Sequence, residues 1–320
     1  MIRVYRSGCG ACDIAVEDVA GWTMPADAIW IDLVSPAQGE DVAIEKALGL
    51  AIPTREEMAE LEASSRLYRE NGATYVTADI IRHGDADLPS IDPITFVLTP
   101  GPLVTIRYFD PRPFTMLTDR LDREPGLCAS GADMFLHLME AIVDRASDVL
   151  SNNAQKVEVI SGHVFHEHKT VGFDKLIGRL GRAHIANARI DQSLSGLSRI
   201  FAFVALDDAI EHKGDAAAHL KSLSRDALSL IAHNQSVAAS INFQLSAALG
   251  LINIEQSSII KIFSVAAVAF MPPTLIASIY GMNFDHMPEL SQPWGYPTAL
   301  IAMVIAAILP LLWFRRKGWL

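Results

Sequence analysis

Cysteine is scarce in this 320-residue chain, with three in all, which excludes a disulfide-built scaffold. Basic residues are in deficit. Against 37 aspartates and glutamates stand 26 lysines and arginines, a formal charge of -11, and a basic nucleic-acid binder is excluded. No phosphate-binding glycine loop, dinucleotide fingerprint or Ser-His-Asp order occurs, so an enzyme has little support. The first 261 residues lack any long apolar run, and residues 1–6 form a short strand-like stretch without the apolar region of a secretory signal. Yet half of the residues are hydrophobic, which excludes disorder. The apolar excess is concentrated at the C-terminus.

Residues 262–279 and 296–314 carry no formal charge, and runs of 18 and 19 residues are close to the roughly 20 that a helix needs to cross a bilayer core. The chain therefore reads as a large aqueous part ending in one transmembrane hairpin. Lys261 precedes the first span, and Arg315, Arg316 and Lys317 follow the second. The loop between them, 281–295, holds Asp285 and Glu289 and no lysine or arginine. Positive-inside bias places both termini in the cytoplasm, at a cell or inner membrane. Trp294 and Tyr296 suit one aromatic belt, and Trp313 and Trp319 the other.

Residues 1–256 carry 22 basic and 35 acidic side chains, a net -13. Such a part repels nucleic acid and anionic lipid and attracts cations, although solubility alone would also explain it. Short β-like runs at 28–33, 73–81, 94–99 and 103–108 alternate with helical patterns at 39–48 and from Thr54, whose hydroxyl with Glu57 forms a capping box. Pro100-Gly101 marks a hairpin. Residues 1–130 thus read as an α/β domain with a largely antiparallel or mixed sheet. Residues 131–256 read as long helices with breaks near 170–172 and 213–215. The last helix, uninterrupted by proline from 214 to 271, continues into the membrane hairpin of 257–320, with spans at about 262–280 and 296–314 and a loop at 281–295. The fold class is an α+β membrane protein with stalk helices.

Two spans cannot enclose a pore, yet the first is not built as a plain anchor. Ser257, Ser264, Met271, Thr274 and Ser278 are separated by 7, 7, 3 and 4 residues, which places them on one stripe of a helix. Pro272 and Pro273 remove the hydrogen bonds that would satisfy the carbonyls of Val268 and Ala269. A water-filled channel along a symmetric bundle would satisfy them. A kinked anchor whose hydroxyls bond to their own backbone is the alternative. Beyond the stripe, Tyr280-Gly281-Met282-Asn283 ends the span with a turn glycine and then an amide. Several copies around an axis would place a ring of Asn283 oxygens there. Such oxygens accept hydrogen bonds from the waters of magnesium, which gives up its hydration shell reluctantly. Asp285 and Glu289 would raise the cation concentration at the outer mouth.

The stretches Tyr280-Gly281-Met282-Asn283-Phe284, Met287-Pro288-Glu289-Leu290 and Trp294-Gly295-Tyr296-Pro297 resemble the signature of the CorA family of magnesium transport proteins. Asn253-Ile254-Glu255-Gln256 and the terminal Phe314-Arg315-Arg316-Lys317-Gly318-Trp319-Leu320 resemble it too. That resemblance implies a homopentameric funnel carrying Mg²⁺, and often Co²⁺ or Ni²⁺. It implies that Asn283 forms the selectivity ring on the support of Gly281 and Met282. It also implies that Met271, Thr274 and Ser278 line the pore, with the methionine as a hydrophobic gate. The resemblance further implies that acidic residues between neighbouring subunits sense cytoplasmic Mg²⁺, with Asp226, by local similarity of Arg225-Asp226 and His233-Asn234, as the candidate. Many relatives carry asparagine where this chain has Ser257, so an inner-mouth site there would rest on a hydroxyl.

Two other patterns compete. Cys9-Gly10-Ala11-Cys12 has the spacing of a redox pair or half a zinc site, and His163, His166 and His168 with Glu167 suggest metal ligands, His163 and Glu167 sharing a helix face. The cysteine pair lacks further partners, since Cys128 stands alone, and the histidines fit a solvated acidic helix better than a metal site. The expected function is Mg²⁺ transport through a homopentamer in the lipid bilayer. The alternatives are a zinc, cobalt or nickel transporter on the same scaffold and a membrane-anchored metal or redox sensor.

Overall fold

Strands of the N-terminal third are apolar on both faces, and that pattern dictates a sheet covered on two sides. A computed structural model describes residues 1–319 apart from 7–10, 15–21, 37–38, 61, 125, 167–171, 208–213 and 284–286. Seven strands, β1 (Ile2–Arg6), β2 (Ala11–Ile14), β3 (Ala28–Val34), β4 (Leu67–Glu70), β5 (Ala73–Arg82), β6 (Ser90–Leu98) and β7 (Leu103–Arg107), lie in the order β2-β1-β3-β7-β6-β5-β4. Neighbours are antiparallel except β3 and β7, where Trp30 to Val34 run parallel to Leu103 to Arg107. The sheet is mixed, as the strand and turn signals imply, and β6 and β7 form the hairpin at Pro100-Gly101.

Period-two alternation sends Ile31 and Leu33 to one face and Trp30 to the other. On the first face they pack with Ile2, Val4, Ile44 of α1 (Glu40–Leu48) and Met58 of α2 (Arg55–Met58). Thr54 caps α2 as its capping box predicts: its hydroxyl accepts from the Glu57 amide at 3.3 Å, and its own amide donates to Glu57 Oε2 at 2.8 Å. The helix nonetheless lasts only one turn, because α3 (Ala63–Arg66) and β4 follow at once.

The second face carries the longer helices. Trp30 and Phe96 pack with Phe114 of α4 (Arg112–Arg123), Phe135 of α5 (Gly131–His166), Phe201 of α6 (Phe173–Val204) and Leu220 of α7 (Gly214–Tyr280). Helix α4 has no counterpart among the sequence expectations. The starts of α6 and α7 coincide with the expected breaks. One buried charge pair fixes the parallel pairing: Arg107 binds Asp32 at 2.9 Å. Thr105 donates to the same carboxylate and accepts from the Trp30 indole. With all these partners in place the pair is fully satisfied, the condition under which a buried charge is tolerated.

Between the helices, Asn187 and Asn234 each donate to the other's backbone carbonyl at 3.2 Å, and Gln244 donates to the Val157 carbonyl. The chain divides into two compact units, Met1–Leu245 and Ser246–Leu320. The second unit holds the end of α7, a 3-10 turn at Pro288–Ser291 and α8 (Gly295–Arg316).

Candidate functional site

Two helices, α7 and α8, are long and apolar enough to cross a membrane. Their apolar side chains are exposed in the single chain: Phe263 at 71%, Phe270 at 72% and Tyr296 at 76%. Surfaces of this kind are covered by lipid or by other chains. Helix α7 continues through Pro272 and Pro273 to Tyr280. Because neither proline has an amide hydrogen, Val268 and Ala269 lose the donors their carbonyls would have in an unbroken helix.

Around that point the second unit has an open groove of about 630 Å³, lined by Met271, Thr274 and Ser278 together with Phe270, Pro272 and Leu275. Three of the five residues of the expected stripe are therefore brought into one concavity. Ser264, half-buried, and Ser257, exposed, lie earlier on the same helix and outside the groove. Phe270 and Leu275 form apolar walls that the polar stripe did not reveal, although their spacing from Met271 and Thr274 puts them beside it. Thr274 donates its hydroxyl to the Phe270 carbonyl at 2.8 Å, and Ser258 does the same to Ile254 at 3.0 Å. This back-bonding is the feature expected of the anchor alternative. The Thr274 oxygen still keeps lone pairs to accept from water.

At the end of α7, the Gly281 amide donates to the Ala277 carbonyl at 2.9 Å and the Met282 amide to Ile279 at 3.3 Å. Gly281 is not left-handed. A Cβ there would lie 3.1 Å from the Ala277 oxygen, a tight contact that a few tenths of an ångström of movement would relieve. Asn283 follows, exposed, and its amide has no hydrogen-bond partner among the described residues. Asp285 lies outside the described residues. Glu289 is exposed in the 3-10 turn, and its carbonyl would stand 2.2 Å from a Cβ on Gly295. That close approach sets the start of α8 against the 3-10 turn.

Helix α8 ends as sharply as it begins. Gly318 is left-handed, with φ 71°. Its amide donates to Arg315 and that of Trp319 to Phe314, the double bond of a Schellman ending. Trp319 stacks on Phe314, and the Lys317 ammonium lies 5.9 Å from the Trp313 ring. Arg315, Arg316 and Lys317 are thus set in a fixed order at one end of the span.

Asp226 lies on α7 in the first unit. Asp144 of α5 feels its charge: burial first, then Glu140, Asp148 and Asp226, raise the Asp144 carboxyl above its ordinary value. Asp144 was no sequence candidate, although Glu140, Asp144 and Asp148 recur every four residues along one face of a helix. Among the described residues no three His, Cys, Asp or Glu side chains converge to hold a metal ion. Of the competing patterns, Cys9 and His168 lie outside the described residues. Cys12 sits in β2 opposite Val4, His166 ends α5, and His163 Nδ1 lies 2.8 Å from the Val159 carbonyl. Cys128 is buried, and burial pushes its thiol up to about 12, away from reactivity.

An α/β domain joined to long helices, with two apolar helices at its C-terminal end, defines an integral membrane protein with a large aqueous part. The family of CorA-like Mg²⁺ transporter proteins matches residues 25–316. The magnesium transport proteins CorA of Salmonella typhimurium and of Escherichia coli are each 32% identical to the chain over 294 residues, 92% of both lengths. Across the whole fold it is similar to the CorA magnesium transporter of Methanocaldococcus jannaschii. The TM-score is 0.82 at 17% identity, covering 100% of this chain and 99% of that one. The chain belongs to the CorA family, a family of transporters rather than enzymes.

Proposed function

We propose that this chain carries Mg²⁺ across the cell or inner membrane through a homopentameric pore, with both termini cytoplasmic. Residues 1–130 and 131–256 serve as the cytoplasmic funnel and 257–320 as the membrane hairpin. The observation that carries this reading is a single surface of α7: Met271, Thr274 and Ser278 share one groove. Beyond it stands Asn283, exposed and without a side-chain partner among the described residues. Repeated about an axis, Asn283 gives a ring of amide oxygens for hydrated ion, held by Gly281 and Met282. Ser257 and Ser264 extend the hydroxyl lining inward, while Asp285 and Glu289 attract cations to the outer mouth.

Ligand chemistry favours magnesium over softer metals. The residues named along the proposed path supply hydroxyls, one amide, two carboxylates and the thioethers of Met271 and Met282, and hard oxygen donors suit a cation that retains its waters. Co²⁺ and Ni²⁺ as hydrated ions are the expected secondary cargo. An inward-negative potential of 100 mV favours a divalent ion by about 4.6 kcal/mol, so no nucleotide hydrolysis is required. Cytoplasmic Mg²⁺ closes the pore by binding near Asp226. Since one chain supplies no three converging acidic or imidazole groups among its described residues, that ion takes further ligands from a neighbouring copy or through water.

The test is flux of Mg²⁺ into proteoliposomes, with Co²⁺ and Ni²⁺ as competitors. Replacing Asn283→Ala is expected to lower it by about tenfold or more, equivalent to at least about 1.4 kcal/mol. Unchanged flux in an assembled variant would remove the ring from the mechanism.

A further inference from the structure

Helices α5 and α6 enclose a second concavity, of about 300 Å³, in the first unit and outside the proposed ion path. Its walls include Lys156, Arg179 and Arg182, with Asp87 as the one carboxylate. Three cations against one anion is unexpected in a region with a net charge of -13. Neither guanidinium has an ion-pair partner among the described residues, and Lys156 reaches only Asp87, at 3.5 Å. Glu158, the nearest acidic residue along α5, lines a different cavity.

The position of the walls is fixed by buried contacts. Asn153, 4% exposed, donates from α5 to the Ala183 carbonyl of α6 at 3.2 Å, which clamps the two helices beside the cavity. The turn that carries Asp87 is tied to α5 by Arg145, whose guanidinium bonds Asp85 at 2.8 Å and holds that carboxyl below its ordinary range. Val159 and the buried Ile160 add an apolar wall. Two arginines one turn apart present forked donors that match phosphate oxygens, and lysine adds a point charge. The volume lies at the lower end of small-molecule sites.

We propose that this cavity binds a nucleoside triphosphate as its magnesium complex. Arg179, Arg182 and Lys156 take the phosphates, Val159 and Ile160 face the nucleoside, and Asp87 bonds to the waters of the accompanying Mg²⁺. That last role explains a carboxylate in an otherwise cationic site. An anion without its metal would be repelled by Asp87, whereas the complex brings a cation to it.

Calorimetric titration of the full-length protein in detergent with MgATP tests the assignment independently of transport. Saturable binding is expected, weakened about tenfold or more when Arg179→Ala and Arg182→Ala remove two charge-assisted contacts. Arg189→Ala, an exposed change on the same helix outside the cavity, should leave it intact. Lys156→Gln gives a second reading if the double variant fails to fold. Asp87→Asn should weaken MgATP yet tighten ATP in the presence of a chelator. The absence of saturable binding, or binding untouched by the double and Lys156 variants, would overturn the site. Inorganic triphosphate binding as tightly as MgATP would overturn its nucleoside component, and an equal effect of Asp87→Asn on both forms of ATP would overturn the metal contact.

Discussion

At the scale of single residues, side chains with unmet electrostatic demands do more in this chain than those that complete the core. Asn283 is an amide without a partner among the described residues, and Asp144 is a carboxylate among carboxylates. The fully satisfied Asp32 and Arg107, by contrast, make a structural pair. Asp144 has a pH consequence whose sign follows from its cause. Burial and the charges of Glu140, Asp148 and Asp226 raise its carboxyl in the folded chain, so the folded state holds the proton longer than the unfolded state does. Stability linked to this group is present in acid and is lost as pH rises from the ordinary aspartate value, about 4, through the raised one. At neutral pH its ionised form opposes folding. Because the group is largely exposed, the effect is modest: Asp144→Asn is expected to raise the melting temperature by about 1–2 °C at pH 7. No gain is expected below about pH 4, where both forms are neutral. Thermal unfolding of both proteins at the two pH values checks it, and added Mg²⁺ should shrink the difference at pH 7.

At the scale of elements, the proline pair in α7 is the clearest case of sequence setting local chemistry. Pro272→Ala with Pro273→Ala would supply amide donors to Val268 and Ala269 and close the ladder. The variant is expected to keep or gain helix and, if those carbonyls serve the proposed path, to lose Mg²⁺ flux several-fold, because they would then be engaged within the helix and no longer accept from water. Circular dichroism with proteoliposome flux separates the two effects, and full flux would assign the prolines to packing alone. The capping box at Thr54, the Pro100-Gly101 hairpin and the spans were legible because each is a local pattern a few residues wide. The parallel pairing of β3 with β7 was not, since it joins Asp32 to Arg107 across a long stretch of chain. Helix α4 was readable in principle: Phe114, Leu117 and Leu121 repeat at helical spacing after Pro111 and Pro113, and Phe114 and Leu117 are buried. For the candidate site, the stripe from Met271 to Ser278 followed from spacing. The tight approach of Gly281 to the Ala277 carbonyl did not, because such a contact has no signature in the residue type alone.

At the scale of the whole molecule, the surfaces left uncovered indicate what the single chain lacks. Exposure is not confined to the membrane segment: on the aqueous part of α7, Leu228 is 55% and Phe243 64% exposed, and Phe243 stacks on the half-exposed Phe165. Exposed apolar side chains on a region of net charge -13 are of the kind that partner surfaces cover, and the proposed assembly would supply them. Charge repulsion between such regions opposes assembly unless cations gather between them, and that coupling is what a pore closed by cytoplasmic Mg²⁺ requires. Two spans per chain cannot surround a path, so assembly is a condition of the proposed transport and not an addition to it. Chemical cross-linking in native membranes is therefore expected to give a ladder ending at five copies, with Leu228→Glu shifting it toward smaller species and lowering flux in parallel. A ladder that stops at two would leave α7 and α8 as an anchor, with the groove at Met271 facing lipid and Asn283 without an ion to hold.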